Sequence, residues 1–151
     1  MPQRQLSFND LSEAVAEVER LHRGGYEKLG NWDLAQICDH LTYFARGSLD
    51  GQPFRVPWLF KALFGRMVLR RILTQKRMKT GVFTPQKPLP APGGDESAAV
   101  AHFRETMERV RNHTGEFHPS PFFGAMTRDE VRALTCIHCA HHLGFLQPKS
   151  A

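Results

Sequence analysis

Apolar positions recur every three to four residues in five separate stretches of this chain, the spacing of amphipathic helices, and no stretch alternates as a strand would. Leu11, Ala14, Val15, Val18 and Leu21 give one face to a first helix over about Ser7–Arg23. Ser7 with Asp10 resembles a capping box at its start, and Gly24-Gly25 is its stop. Asn31 is the expected N-cap of a second helix running to about Leu49, with the stripe Leu34, Ile37, Leu41, Phe44 and Ala45. His40 lies at the margin of that stripe, beside Gln36 and Tyr43. Pro57 opens a third helix, to about Leu73, that is apolar nearly all round, broken by Gly65 and studded with arginines. Such a helix is either deeply packed or covered by a second subunit. A basic interfacial membrane helix is the weaker reading, because the arginines gather on no single polar face.

Met78–Gly94 holds four prolines and three glycines and reads as a loop, for instance the rim of a binding cleft. Asp95 caps a fourth helix to about Asn112, with Val100, Phe103, Met107 and Val110 turned inward. The connector Thr114–Met126 carries enough aromatics to be pinned to the bundle. Thr127 with Glu130 forms a capping box for the last helix, which Gly144 and Pro148 close. The expectation is an all-α protein, one domain over residues 1–151, with four main helices and one additional one.

Within the last helix, Val131, Leu134, His142 and Phe145 fall within about 40° of His138 on a helical projection. Two imidazoles one turn apart in an apolar stripe need a partner, and a shared divalent metal would serve both. A catalytic site of this kind takes three protein ligands and leaves a position open. The third ligand is expected on a facing helix: His40 is the best candidate, His102 the reserve, and His22 sits at a helix end. His141, about 60° from His138, points beside the site. Cys139 stands where a zincin helix would carry its glutamate, which disfavours peptidase chemistry. Cys136 and Cys139 form a C-x-x-C about three turns into the helix, not at the N-terminus where a reactive thiolate is stabilised, so packing is the better reading.

Composition adds three constraints. The 41% hydrophobic content is that of an ordinary globular chain. Three cysteines make no disulfide framework, and neither a signal-type apolar run nor a spanning segment occurs, so a reduced, cytoplasmic protein is expected. The net charge of +5 is uneven, with no acidic residue between Asp50 and Asp95 but basic ones from Arg55 to Lys87. That stretch suits an anionic ligand, and Arg70 with Arg71 could hold an acidic co-substrate. Nucleic acid is set aside for want of any binding motif, and a membrane partner is not expected.

Two segments then look familiar. Asn31-Trp-Asp-Leu-Ala-Gln-Ile-Cys-Asp-His40-Leu and His138-Cys-Ala-His-His142-Leu-Gly-Phe-Leu resemble the two signature segments of the DinB/YfiT-like superfamily. His118-Pro-x-x-Phe-Phe-Gly and the Pro57-Trp-Leu helix are similar to an uncharacterised subfamily of it, and the resemblance spans about Ser7 to Pro148. It implies an up-down-down-up four-helix bundle with nickel or zinc held by His40, His138 and His142. Characterised relatives include thiol-dependent S-transferases and a mycothiol-dependent isomerase, which implies a low-molecular-weight thiol as co-substrate. Where the commoner ending has Arg-Gly-Gln after the last ligand, this chain has Leu143-Gly144-Phe145.

The first functional expectation is therefore a metal-dependent enzyme, a hydrolase or thiol transferase, acting on a small molecule. Tyr43, Gln36, His141 and His118 are candidates to orient groups or carry protons there. The second is a non-catalytic bundle binding a ligand or partner through the basic, aromatic 57–79 region, and a homodimer through the third helix is expected.

Overall fold

The structure, a computed structural model, describes residues 2–79 and 90–149. Its helices are α1 (Leu11–Gly24), α2 (Leu34–Asp50), α3 (Trp58–Phe60), a π-helical turn (Lys61–Gly65), α4 (Arg66–Gln75), α5 (Glu96–Asn112) and α6 (Arg128–Leu143). Most of the expected 78–94 loop, with Lys87, lies outside the described residues.

Three of these helices, α1, α2 and α5, bury most of the face their spacing predicts, and α6 packs against them. Leu11, Ala14, Val18 and Leu21 of α1, Leu34, Ile37, Leu41 and Ala45 of α2, and Val100, Phe103, Met107 and Val110 of α5 form one core with Val131 and Leu143 of α6. Each fully buried side chain of this size stabilises the fold by about 1.5–3 kcal/mol. Helix α2 packs mainly on α5 and α6, and α1 likewise on α5 and α6, so α1 and α2 are diagonal despite being consecutive. Arg111 reaches Asp10 and His22 reaches Glu96, which sets α1 and α5 antiparallel. Gln36 bonds Pro90 just ahead of α5 while Asp50 meets Arg109 near its end, so α2 and α5 run parallel. Trp32, before α2, stacks on His142 at the end of α6, so that pair is antiparallel. The order is up-down-down-up.

The caps differ from expectation at two starts. Asp10, not Ser7, caps α1 by accepting from Ser12 N, and Asp33, not Asn31, caps α2 in a full capping box with Gln36. Aspartate outcompetes the upstream residue in each case because its short charged acceptor meets the free amides of the first turn. At α6 the Thr127–Glu130 box forms as expected. Tyr26–Lys28 pairs antiparallel with Leu146–Pro148, two short strands that sequence spacing missed because three residues show no alternation.

The largest departure is the third helical segment. It begins at Trp58, includes a π turn, and buries only Gly65 and Leu69 (1% exposed), so it is not deeply packed among the described residues. Its inner side is fixed tightly nonetheless. A Cβ on Gly65 would stand 2.6 Å from the carbonyl oxygen of Phe122, and Arg66 holds both carboxylate oxygens of Glu130 at 2.9 and 3.1 Å.

Candidate metal centre

Helix α6 presents His138 and His142 one turn apart, and antiparallel α2 brings His40 across to them. One ligand nitrogen from each of the three lies within 4.8 Å of the others, and all three side chains are half-buried. His40 Nε2 and His138 Nε2 are 3.2 Å apart. Ligands about 2.0–2.1 Å from a tetrahedral zinc stand roughly 3.3–3.4 Å from one another, so this pair already has the spacing of two ligands on one ion. The donor set, three imidazoles, suits zinc, nickel, copper or ferrous iron.

The helical projection put these histidines at the centre of an apolar stripe, and the structure moves them. The buried face of α6 is Val131, Cys136, Cys139, Ala140 and Leu143. The histidines flank it, because small residues that weigh little on a projection pack closest. The cysteines are therefore core residues, as expected. All three are free and buried, and burial pushes the Cys136 thiol up to about 11, the Cys38 thiol higher still, and the Cys139 thiol well above the usual cysteine value.

Two aromatic rings frame the cluster, Trp32 and Phe44, the latter expected only as part of the α2 apolar stripe. Trp32 stacks on His142, with centroids 5.5 Å apart and planes at 11°, and tilts against His40 at 5.0 Å. Phe44 sets its edge on His40 at 5.0 Å and on His138 at 5.5 Å. Trp32 is held by its surroundings: Tyr26 Oη accepts from Leu34 N (2.9 Å), and Leu29 N donates to Phe145 O (2.8 Å). Tyr26 also donates to Glu96 (2.9 Å), and burial pushes its phenol up to about 12, so it remains a donor. The N-terminal arm braces the other side. Arg4 donates to Leu146 O (2.6 Å) and Leu143 O (3.3 Å) while paired with Glu17 at 2.6 Å. An isolated arginine outside any helical pattern gives no signal of such a role in the sequence.

The remaining candidates are dispersed. Gln36 is buried with its amide committed to the α2 cap and to Pro90 O (2.8 Å). His118 is exposed beside Gly51 at the far end of α2. His141 sets its ring against His142 (4.9 Å) and Phe145, and burial lowers its pKa below the usual histidine value. Tyr43 lies edge-on to Phe44 and lines a cleft of about 290 Å³ along α2, with Asp39, Arg46 and His102. His102 thus belongs to that cleft, and His22 bonds Glu96 at 2.7 Å; the ligand candidates left together are His40, His138 and His142.

A family model described as a protein of unknown function, DUF1569, matches residues 1–149. The chain belongs to this family. No curated protein and no solved structure matches it. Among the described residues of this DUF1569 chain, the feature with metal-binding chemistry is the histidine cluster. No helix among the described residues is long and apolar enough to cross a membrane.

Proposed function

We propose that the chain is a metal-dependent enzyme of the DinB/YfiT-like kind, acting in the cytoplasm on a small molecule, with His40, His138 and His142 holding one divalent ion, nickel or zinc. The observation that carries this is the convergence of three imidazoles from two antiparallel helices to within 4.8 Å. The up-down-down-up order, with ligands on the second and last bundle helices, supports the superfamily assignment. A bound ion would supply a water or thiol that loses its proton near neutral pH, serving hydrolysis or thiol transfer with a low-molecular-weight thiol. The chain's own residues supply the setting. Trp32 and Phe44 pack against the imidazoles and fix their planes, and Tyr43, beside Phe44, and His141, beside His142, are candidates to carry a proton.

The test is elemental analysis of protein purified without a metal-affinity tag. We expect about one equivalent of nickel or zinc per chain, and its loss in His138→Ala at unchanged helicity. Metal-free wild type, or a His138→Ala variant with full metal content, overturns the reading. One observation favours a second reading, a non-catalytic bundle: at 3.2 Å the His40–His138 pair also fits an N–H···N hydrogen bond, with binding left to the exposed 58–68 face.

A further inference from the structure

The third helical segment turns its large apolar side chains outward. Trp58 is 73% exposed, Phe60 61%, Leu63 62% and Met67 61%, with Leu59 and Phe64 between 42 and 53%. Isolated exposed apolar residues are ordinary, whereas a contiguous set over about three helical turns marks an interaction surface. The orientation is imposed from within. Gly65 lies against the Phe122–Phe123 backbone, Leu69 is buried, and Arg66 is engaged by Glu130 on α6. The helix cannot roll its apolar face inward without breaking all three.

Charge decides what covers this face. From Asp50 to Asp95 the chain has no acidic residue. Beyond the apolar turns lie Arg70, Arg71, Lys76 and Lys79, all exposed, and Lys61 sits within those turns. A second copy of the chain docked by its own 58–68 face would bring these cations toward each other with no carboxylate on the same stretch to meet them, and such like-charge contacts disfavour association. An anionic lipid surface reverses the sign. Aromatic and aliphatic side chains enter the headgroup region, where tryptophan is favoured, while arginine and lysine meet phosphate.

We infer that residues 58–68 are a membrane-surface anchor that lies in the plane of an anionic phospholipid bilayer, with Arg70, Arg71 and Lys76 contacting headgroup phosphates. The sequence pattern alone counted against this because the arginines occupy several faces. The structure removes Arg66 from the count by pairing it with Glu130, sets half-buried Lys61 beside inward-facing Gly65, and leaves Arg70, Arg71 and Lys76 exposed. The inference rests on residues other than the three histidines, and it names a partner for the binding face of the second reading.

The experiment is co-sedimentation of the full chain with phosphatidylcholine vesicles, with and without phosphatidylglycerol, alongside light scattering without lipid. Expected are binding to the anionic vesicles, a blue shift of tryptophan emission that Trp58→Phe abolishes, and a partition coefficient falling roughly tenfold or more from low to high salt. Leu63→Glu/Phe64→Glu should remain in the supernatant with an unchanged melting temperature, and Arg70→Glu/Arg71→Glu should lose the preference for anionic lipid. Absence of binding to either vesicle overturns the inference. So does equal binding to both, or a wild-type dimer that ignores vesicles and becomes a monomer in Leu63→Glu/Phe64→Glu.

Discussion

Two regions of this molecule break the usual partition of polar and apolar groups, in opposite directions. Between α2 and α6, imidazoles are drawn in among aromatic rings; along 58–68, tryptophan, phenylalanine and leucine are held out in solvent. Each arrangement is enforced by neighbours that obey the rule. Cys139 and Leu143, fully buried, turn α6 so that its histidines flank the core, while Gly65 and Leu69 turn the other helix so that its apolar face points away. Polar groups gathered inside imply something polar for them to hold. Apolar groups held outside imply something apolar to receive them. The largest expected effect tests whether the second region really lies outside the core. Phe103→Ala should cost about 3–5 kcal/mol in denaturant unfolding, whereas Leu63→Ala should stay within about 0.5 kcal/mol of wild type. Similar losses for the two would mean that the 58–68 face is packed within the molecule, and the contrast would collapse.

Much of the bundle was legible in the sequence because its helices are regularly amphipathic. Every apolar residue assigned to the inner face of α5 is buried, and the α6 capping box forms at the residues that announced it. The three histidines could be singled out because imidazole is costly to bury alone, and their spacing survives projection errors. Three things were not legible. A projection counts bulk, so it centred α6 on His138 although Cys136, Cys139 and Ala140 face the core. A helix apolar on every side carries no information about which side its neighbours take, so the exposure of Trp58 and Phe60 had to come from the fold. Contacts between distant segments, such as Trp32 on His142 or Arg4 on the end of α6, leave no periodic trace.

Arg4 sharpens the comparison from the other side, because it ties the end of α6 to Glu17 of α1. Its guanidinium meets Leu143 O and Leu146 O, carbonyls at and beyond the end of α6, and its side chain and that of Glu17 are 17% and 10% exposed. Arg4→Met should destabilise the protein by about 1–3 kcal/mol, since it strands carbonyls and leaves Glu17 only its partner Arg20. Gly144 belongs to the same joint: a Cβ there would stand 2.7 Å from Arg4 O. Hydrogen exchange should then speed up at Leu143–Phe145 and Arg4 while α5 amides keep their protection. Uniform acceleration would show that the arm stabilises the whole bundle and not this end of α6.

The smallest effect lies where the two regions meet. Glu130 opens α6, the helix that carries two of the histidines, and its carboxylate grips Arg66 of the outward-facing helix. Hydrogen bonds from Arg66, then from the Thr127 backbone, hold that carboxyl below the usual glutamate range. A carboxyl lowered in the folded state contributes stability that is complete above its unfolded value and is lost as pH falls through its folded one. The Arg66 side chain is 58% exposed and Glu130 only half-buried, so solvent still screens the pair. Glu130→Gln should lower the melting temperature by about 1–2 °C at neutral pH, and the difference should vanish as the wild-type carboxyl protonates in acid. The same variant should loosen the outer helix without reducing metal content, because Glu130 sits two turns before His138. Loss of metal from Glu130→Gln would instead mean that the two regions are mechanically coupled, and that the outward face and the histidine cluster respond as one device.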